Sequence, residues 1–140
     1  MGLDMYMEKK LKTDELDYHN TVKVAYWRKA NQIRQWIVTN CGYNPNSNTE
    51  YFLITKEQLK KLYTDCKNII ERYENGGEKI TTELVDYCKK VMPTKSGFFF
   101  GDTEINEWYF EDIKNTLRQT ADILINTDFD KEDIYYYEWW

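Results

Sequence analysis

The segment from Thr55 to Gly77 constrains the fold most, because one stretch combines a start signal, an apolar stripe and a stop signal for a helix. Thr55 and Gln58 have the spacing of a capping box. The apolar residues after them recur at intervals of three and four, on one helical face: Leu59, Leu62, Cys66, Ile69 and Tyr73. Gly76-Gly77 ends the pattern. The sequence therefore predicts a long helix that begins directly after Thr55.

Three further stretches have helical spacing. The apolar stripe of Tyr26, Ala30, Ile33 and Ile37 predicts a helix over residues 22–39 that ends near Gly42. A shorter helix is predicted over residues 82–91, just before Pro93. The longest is predicted over residues 104–126, with Asp102 or Thr103 as its cap.

Short apolar runs at residues 51–54, 97–101 and 134–140 are typical of strands. The predicted fold class is therefore α+β, with three to four helices packed on a small, mostly antiparallel three-stranded sheet. Residues 1–20 are predicted to form a polar N-terminal extension, an appended helix or tail, and residues 21–140 a single α+β domain.

Composition limits the class of protein. A length of 140 residues fits one domain. The net charge of −5 argues against general nucleic-acid binding. We expect no membrane span and no secretory signal, and hence a cytoplasmic protein. The three cysteines, Cys41, Cys66 and Cys88, are far apart and are expected to be reduced, mostly buried thiols.

One segment differs from the acidic rest of the chain. No Asp or Glu occurs between Asp17 and Glu50, a gap that contains four cations: Lys23, Arg28, Lys29 and Arg34. A local positive field of this kind attracts anionic ligands.

Within that gap, Trp27, Asn31 and Arg34 share a stripe of the predicted helix. An indole can stack on a base, an amide can bind a base edge, and guanidinium groups such as those of Arg28 and Arg34 bind phosphate. These are the needs of a nucleotide site. The alternative is that Trp27 belongs to the core, Arg34 pairs with an acid elsewhere, and Asn31 caps a neighbouring loop.

The segment from Pro93 to Thr103 is the second candidate, because glycines bracket its Phe run and allow close approach of a ligand to the backbone. It matches neither a Walker loop nor a dinucleotide fingerprint, and a structural strand with glycine turns is the alternative. An acid at the start of the next helix could accept hydrogen bonds from ribose hydroxyls. The predicted ligand-binding residues here are Ser96, Phe98, Phe99, Thr103, Glu107 and Trp108.

The C-terminal strand places Tyr135, Tyr137 and Trp139 on one face. Such aromatics complete a core or form an interface, and core completion is the favoured interpretation. Homo-oligomerisation stays open.

Catalytic groups are scarce. His19 is the only histidine and lies in the predicted extension, so no Ser or Cys triad is indicated. Paired carboxylates near residues 104–112 leave acid–base chemistry open. Residues 128–139 lack the glycine and glutamate of a calcium loop. We expect a binding protein without metal or cofactor, rather than an enzyme.

The motifs Tyr26-Trp27-Arg28-Lys29-Ala30-Asn31-x-Ile33-x-x-Trp36 and Gly97-Phe-Phe-Phe-Gly101-x-Thr103-x-x-x-Glu107-Trp108-Tyr109 resemble those of a family of small accessory proteins of tailed bacteriophages. Arg34 departs from the pattern, which has His there. The resemblance covers residues 22–140 and implies expression in the cytoplasm of an infected bacterium. Small phage proteins of this kind commonly counter host immunity. We therefore expect sequestration of an anionic nucleotide-like signal, or alternatively inhibition of a host defence protein such as a nuclease.

Overall fold

The computed structural model describes residues 2–17, 19–44, 46, 51–97 and 100–140. In these residues the chain forms four strands and four helices in an α+β arrangement. The elements are β1 (Asp4–Leu11), β2 (Val22–Arg28), α1 (Asn31–Cys41), β3 (Phe52–Ile54), α2 (Lys56–Asn75), α3 (Thr82–Val91), α4 (Glu107–Asn126) and β4 (Glu132–Trp139).

The sheet has four strands in the order β2-β1-β4-β3, and each neighbouring pair is antiparallel. The α+β class is confirmed, whereas the prediction of three strands is wrong. Two of the four strands were not predicted: β2, and β1 from the N-terminal segment, which was expected to be an appended helix or tail. Instead β1 pairs with both β2 and β4 and so lies inside the sheet. Its side chains alternate between the two faces, and Met5 and Met7 are both fully buried.

The helix predicted over residues 22–39 is two elements. Its first third is β2, whose β-branched and aromatic residues favour a strand. The backbone then turns at Lys29, which has a left-handed φ of 56°. Helix α1 starts at Asn31 and ends at Cys41, and Gly42, with a φ of 77°, caps it as predicted.

The other helices follow their local signals. Helix α2 has the predicted capping box, in which Gln58 N donates to Thr55 Oγ1 over 3.2 Å and Thr55 N donates to Gln58 Oε1 over 2.9 Å. Helix α3 has the predicted bounds. Helix α4 begins later than predicted, since its cap is Asn106 rather than Asp102 or Thr103.

The strand predicted over residues 97–101 is absent from the part of this segment that the structure describes. Gly97 and Phe100 lie in no strand, and Phe100 N donates to Gly97 O over 3.1 Å, which marks a turn. Phe98 and Phe99 lie outside the described residues.

Alternation gives the sheet two different faces. The inner face carries Met5, Trp27 and Tyr136, which are buried in the main core. The outer face carries Tyr6, Tyr26 and Tyr137, which lie at matching positions of neighbouring strands. The C-terminal strand is confirmed, but its predicted aromatic face of Tyr135, Tyr137 and Trp139 points away from the core that it was expected to complete.

Candidate ligand-binding cavity

Trp27 lies in a strand on the inner face of the sheet, not on a helix. Its side chain is 2% exposed, and Nε1 donates to Thr116 Oγ1 of α4 over 2.8 Å. The indole therefore joins the sheet to α4, and its burial is incompatible with stacking on a ligand.

Arg34 is buried against the C-terminal strand. Its Nε donates to Oε1 and Oε2 of Glu138 at 2.8 and 2.9 Å, and its guanidinium lies 4.5 Å from the centre of the Phe100 ring. Glu138 is fully buried and also accepts from Tyr136 Oη and Trp140 Nε1. The chain itself therefore neutralises the Arg34 cation that was predicted to bind phosphate.

Asn31 uses its amide to hold the loop before α4. Its Nδ2 donates to the carbonyl oxygens of Phe100 and Asp102, both over 2.9 Å, and its Oδ1 accepts from Lys95 N over 3.0 Å. This is the loop-capping alternative. The same contacts place the two predicted segments side by side.

A cavity of about 260 Å³ lies where these segments meet. Of the predicted site residues, Arg28 and Trp108 line it. Ser96, Thr103 and Glu107 do not line it, and Phe98 and Phe99 lie outside the described residues. The lining residues are Arg28, Lys29, Gln32, Thr94, Gly101, Asp102, Glu104, Asn106, Trp108, Tyr109, Glu111 and Asp112. Gln32 and Asn106 had no signal in the sequence, because their positions depend on how the two segments meet.

Lys29 lines the cavity and has a strained backbone. Its φ of 56° is uncommon for a residue with a side chain. Its amide is fixed by a 2.7 Å bond to Leu3 O. Gly101, itself at φ 82°, packs so closely that an added Cβ would lie 3.1 Å from Lys29 Cβ. Among the residues that the structure describes, Lys29 Nζ forms no ion pair.

Arg28 is the second cation of the cavity. Its side chain is 54% exposed, and Nη1 lies 3.3 Å from Asp4 Oδ1. An exposed pair of this kind is weak, about 0–1 kcal/mol. The guanidinium can therefore exchange Asp4 for an anionic ligand at little cost.

Residues 102–112 supply the carboxylates. Burial raises the pKa of Asp112 to about 6, against the opposing effect of a hydrogen bond with the Gln32 side chain. Asp102 caps its own loop through Glu104 N and Asn106 Nδ2. The cavity thus joins two cations from the β2–α1 turn to hydrogen-bond acceptors on the 102–112 segment.

Trp108 lies at the rim of the cavity, and its side chain is 76% exposed. It is the second residue of α4, where its backbone N–H donates to the Asn106 cap over 3.1 Å. An indole fixed at its base and exposed at its ring offers a stacking surface for a planar group.

The thiols are poor nucleophiles. Burial raises the pKa values of Cys41 and Cys88 to about 11, and that of Cys66 further still. Cys66 and Cys88 are buried and Cys41 is partly buried, as predicted, and all three are reduced.

Residues 2–17, 19–44, 46, 51–97 and 100–140 contain no cluster of three or more His, Cys, Asp or Glu side chains suited to a metal ion. Of the helices described in this chain, none has the length and apolar character needed to cross a bilayer. Comparisons with protein-family models, with curated proteins and with solved structures give no match.

Proposed function

We propose that this protein binds a small, anionic, nucleotide-like ligand in the cavity between the β2–α1 turn and residues 94–112. In the phage setting implied by the sequence motifs, it sequesters a nucleotide signal of host immunity. It acts by holding the ligand, without turnover.

The observation that carries this proposal is the ammonium group of Lys29. A left-handed backbone at a residue with a side chain costs about 1–2 kcal/mol, and glycine would remove that cost. The chain instead keeps a lysine there, which lines the cavity and forms no ion pair with a described residue. Strain of this kind gathers at ligand-binding sites, and an ammonium group selects an anion.

The remaining groups around the cavity fit the rest of a nucleotide. The carboxylate of Asp112 accepts hydrogen bonds, as ribose hydroxyls require, and the exposed Trp108 ring can cover a base. The volume of about 260 Å³ lies just below the roughly 300–1,000 Å³ usual for small-molecule sites. The ligand is therefore small, with one base and sugar inside the cavity.

Calorimetric titration tests the proposal, with cyclic nucleotides and ADP-ribose derivatives as the ligands. We expect at least one of them to bind the wild type, and Lys29→Gln to weaken that binding about tenfold or more, since a charge-assisted phosphate contact contributes about 1.5–3 kcal/mol. The matched control is Lys67→Gln, which removes the same charge from the exposed face of α2. Failure of the wild type to bind any of these compounds, or equal loss in both variants, would overturn the proposal.

Sequestration and turnover differ in the compound that is recovered when the protein is denatured after incubation with its ligand. After incubation with the ligand that binds, denaturation should release it chemically unchanged and in the amount bound. Time-dependent conversion to another compound would instead show that the protein is an enzyme.

A further inference from the structure

A second pocket lies on the outer face of the sheet, where the connection between β1 and β2 meets the strands. Its volume is about 450 Å³. The lining residues are Tyr6, Glu8, His19, Thr21, Lys23 and Tyr137. Because His19 and Thr21 belong to the connection, the N-terminal segment builds part of this pocket as well as part of the sheet. We refer to it as the outer-face pocket.

Glu8 is the buried acid of the outer-face pocket. The residue is 7% exposed, and no ion pair or side-chain hydrogen bond among the described residues uses its carboxylate. In the same part of the chain, Thr127 Oγ1 is the only side-chain oxygen or nitrogen that is sealed from solvent without a partner. The Glu8 carboxylate therefore keeps an opening to the pocket. Withdrawing an unpaired carboxylate from water is costly, and a cationic group bound there would offset that cost.

Lys23 supplies the opposite charge but does not neutralise Glu8. The two residues are register partners on β2 and β1, yet they form no ion pair. Instead, Lys23 Nζ lies 4.5 Å from the centre of the Tyr6 ring, and Tyr6 is two residues, or about 7 Å, from Glu8 along β1. Lys23 also forms no ion pair with any other described residue. The pocket therefore holds an ammonium group and a carboxylate apart, each able to bind a ligand group of opposite charge.

Two stacked rings form the aromatic part of the pocket. Tyr6 and Tyr137 are register partners on β1 and β4, with ring centres 4.9 Å apart and ring planes inclined by 18°. Tyrosine rings present an apolar body with a polar hydroxyl at one end. An apolar ligand side chain can therefore pack against these rings while the charged groups of the ligand meet Glu8 and Lys23.

We propose that the outer-face pocket binds a small zwitterion of the α-amino acid type, whose ammonium group meets Glu8 and whose carboxylate meets Lys23. Glu8 would repel a ligand that carries only negative charge, and Lys23 one that carries only positive charge. In an α-amino acid the two charged groups are joined by one carbon, so the molecule can bridge side chains that do not reach each other. No residue that lines the nucleotide cavity also lines this pocket, and the inference does not rest on the nucleotide proposal.

Calorimetric titration at pH 7 with matched derivatives tests the requirement for both charges. The probes are leucine and phenylalanine, their amides, which lack the carboxylate, and their N-acetyl forms, which lack the ammonium group. We expect at least one free amino acid to bind, and its two derivatives to bind about tenfold more weakly or less, since each loses a charge-assisted contact. The backbone NMR signals of Glu8, Thr21 and Lys23 should shift on binding. Those of Lys29 and Asp112, in the nucleotide cavity, should not.

Glu8→Gln and Lys23→Gln test the two contacts separately. Each should weaken binding of the free amino acid about tenfold or more. Selectivity gives a readout that a merely structural role would not move. Glu8→Gln should bind the N-acetyl form as well as the free amino acid, and Lys23→Gln should bind the amide as well as the free amino acid. The matched controls are Glu71→Gln and Lys67→Gln, which remove the same charges from an exposed pair on α2 and should bind as the wild type does.

Lys23 is exposed, so its replacement tests the pocket even where Glu8→Gln disturbs the fold. Three results would overturn the inference. They are failure of the wild type to bind either free amino acid, equal binding of a free amino acid and one of its derivatives by the wild type, and NMR shifts confined to the residues of the nucleotide cavity.

Discussion

At the scale of single residues, the cavity collects two side chains that a chain selected for stability alone would not keep. Lys29 has a strained backbone and Asp112 a carboxyl group with a raised pKa. Perturbed groups and local strain gather at functional sites because function needs arrangements that folding alone disfavours. Both residues therefore provide substitutions that separate stability from ligand binding.

Lys29→Gly should stabilise the protein and weaken ligand binding. Relief of about 1–2 kcal/mol of strain exceeds the roughly 0.4–1 kcal/mol by which glycine favours the unfolded chain. The free energy of unfolding in urea should therefore rise by about 0.5–1 kcal/mol. Glu78→Gly is the control for ligand binding, since Glu78 has a φ of 58° outside the cavity and its replacement also removes an exposed ion pair with Lys114. It should leave ligand affinity unchanged, and a Lys29→Gly variant less stable than the wild type would contradict the account.

Asp112→Asn should stabilise the protein in a way that depends on pH. The pKa of Asp112 rises from 3.8 to about 6 on folding, so the ionised carboxyl destabilises the native state fully above pH 6 and not at all below pH 4. At pH 7 the free energy of unfolding of the variant should therefore exceed that of the wild type by on the order of 1 kcal/mol, allowing for solvent screening. Urea unfolding at several pH values measures this gain, and a gain that persists below pH 4 would refute the assignment.

Arg34→Ala should lower the free energy of unfolding more than most single substitutions in this protein. It leaves the Glu138 carboxylate, which is 0% exposed, without its cation. Removing one partner of a buried ion pair costs about 3–5 kcal/mol. Arg28→Ala, which breaks an exposed pair, should cost less than about 1 kcal/mol. Similar losses in thermal unfolding for both variants would contradict the assigned role of Arg34.

At the scale of elements, what the sequence predicts depends on how local each signal is. The capping box of α2 and the left-handed glycine that closes α1 lie within a few residues of the ends they define, and both were predicted. Strand β1 was missed because its stability comes from β2 and β4, and the helical spacing of Leu3, Met7 and Leu11 competes with its alternation. Arg34 was misassigned for the same reason, since its partner Glu138 is distant in sequence.

The position of β1 in the sheet predicts the effect of a truncation. A chain of residues 21–140 lacks the strand that joins β2 to β4, along with the buried side chains of Met5 and Met7. We expect no cooperative thermal transition and weak near-ultraviolet circular dichroism for this fragment. A fragment that unfolds cooperatively with near-native stability would show that residues 1–20 are the dispensable extension indicated by sequence alone.

At the scale of the whole molecule, one sheet separates two surfaces of different chemistry. The inner face packs on the helices, beside the cavity lined by Arg28, Lys29 and the carboxylates of residues 102–112, whereas the outer face carries Tyr6, Tyr26 and Tyr137. The edge of β2 is closed by Gln119 of α4, which accepts from Tyr26 N and donates to Tyr26 O.

The central claim is that the cavity holds a nucleotide-like molecule in the cell. The direct test is to purify the protein from phage-infected bacteria with active defences, denature it, and identify the released small molecules by mass spectrometry. The account predicts one phosphate-bearing nucleotide species in near-equal amount to the protein, retained by Lys67→Gln and lost from Lys29→Gly. Release of no such species from the wild type, or of equal amounts from Lys29→Gly, would contradict it.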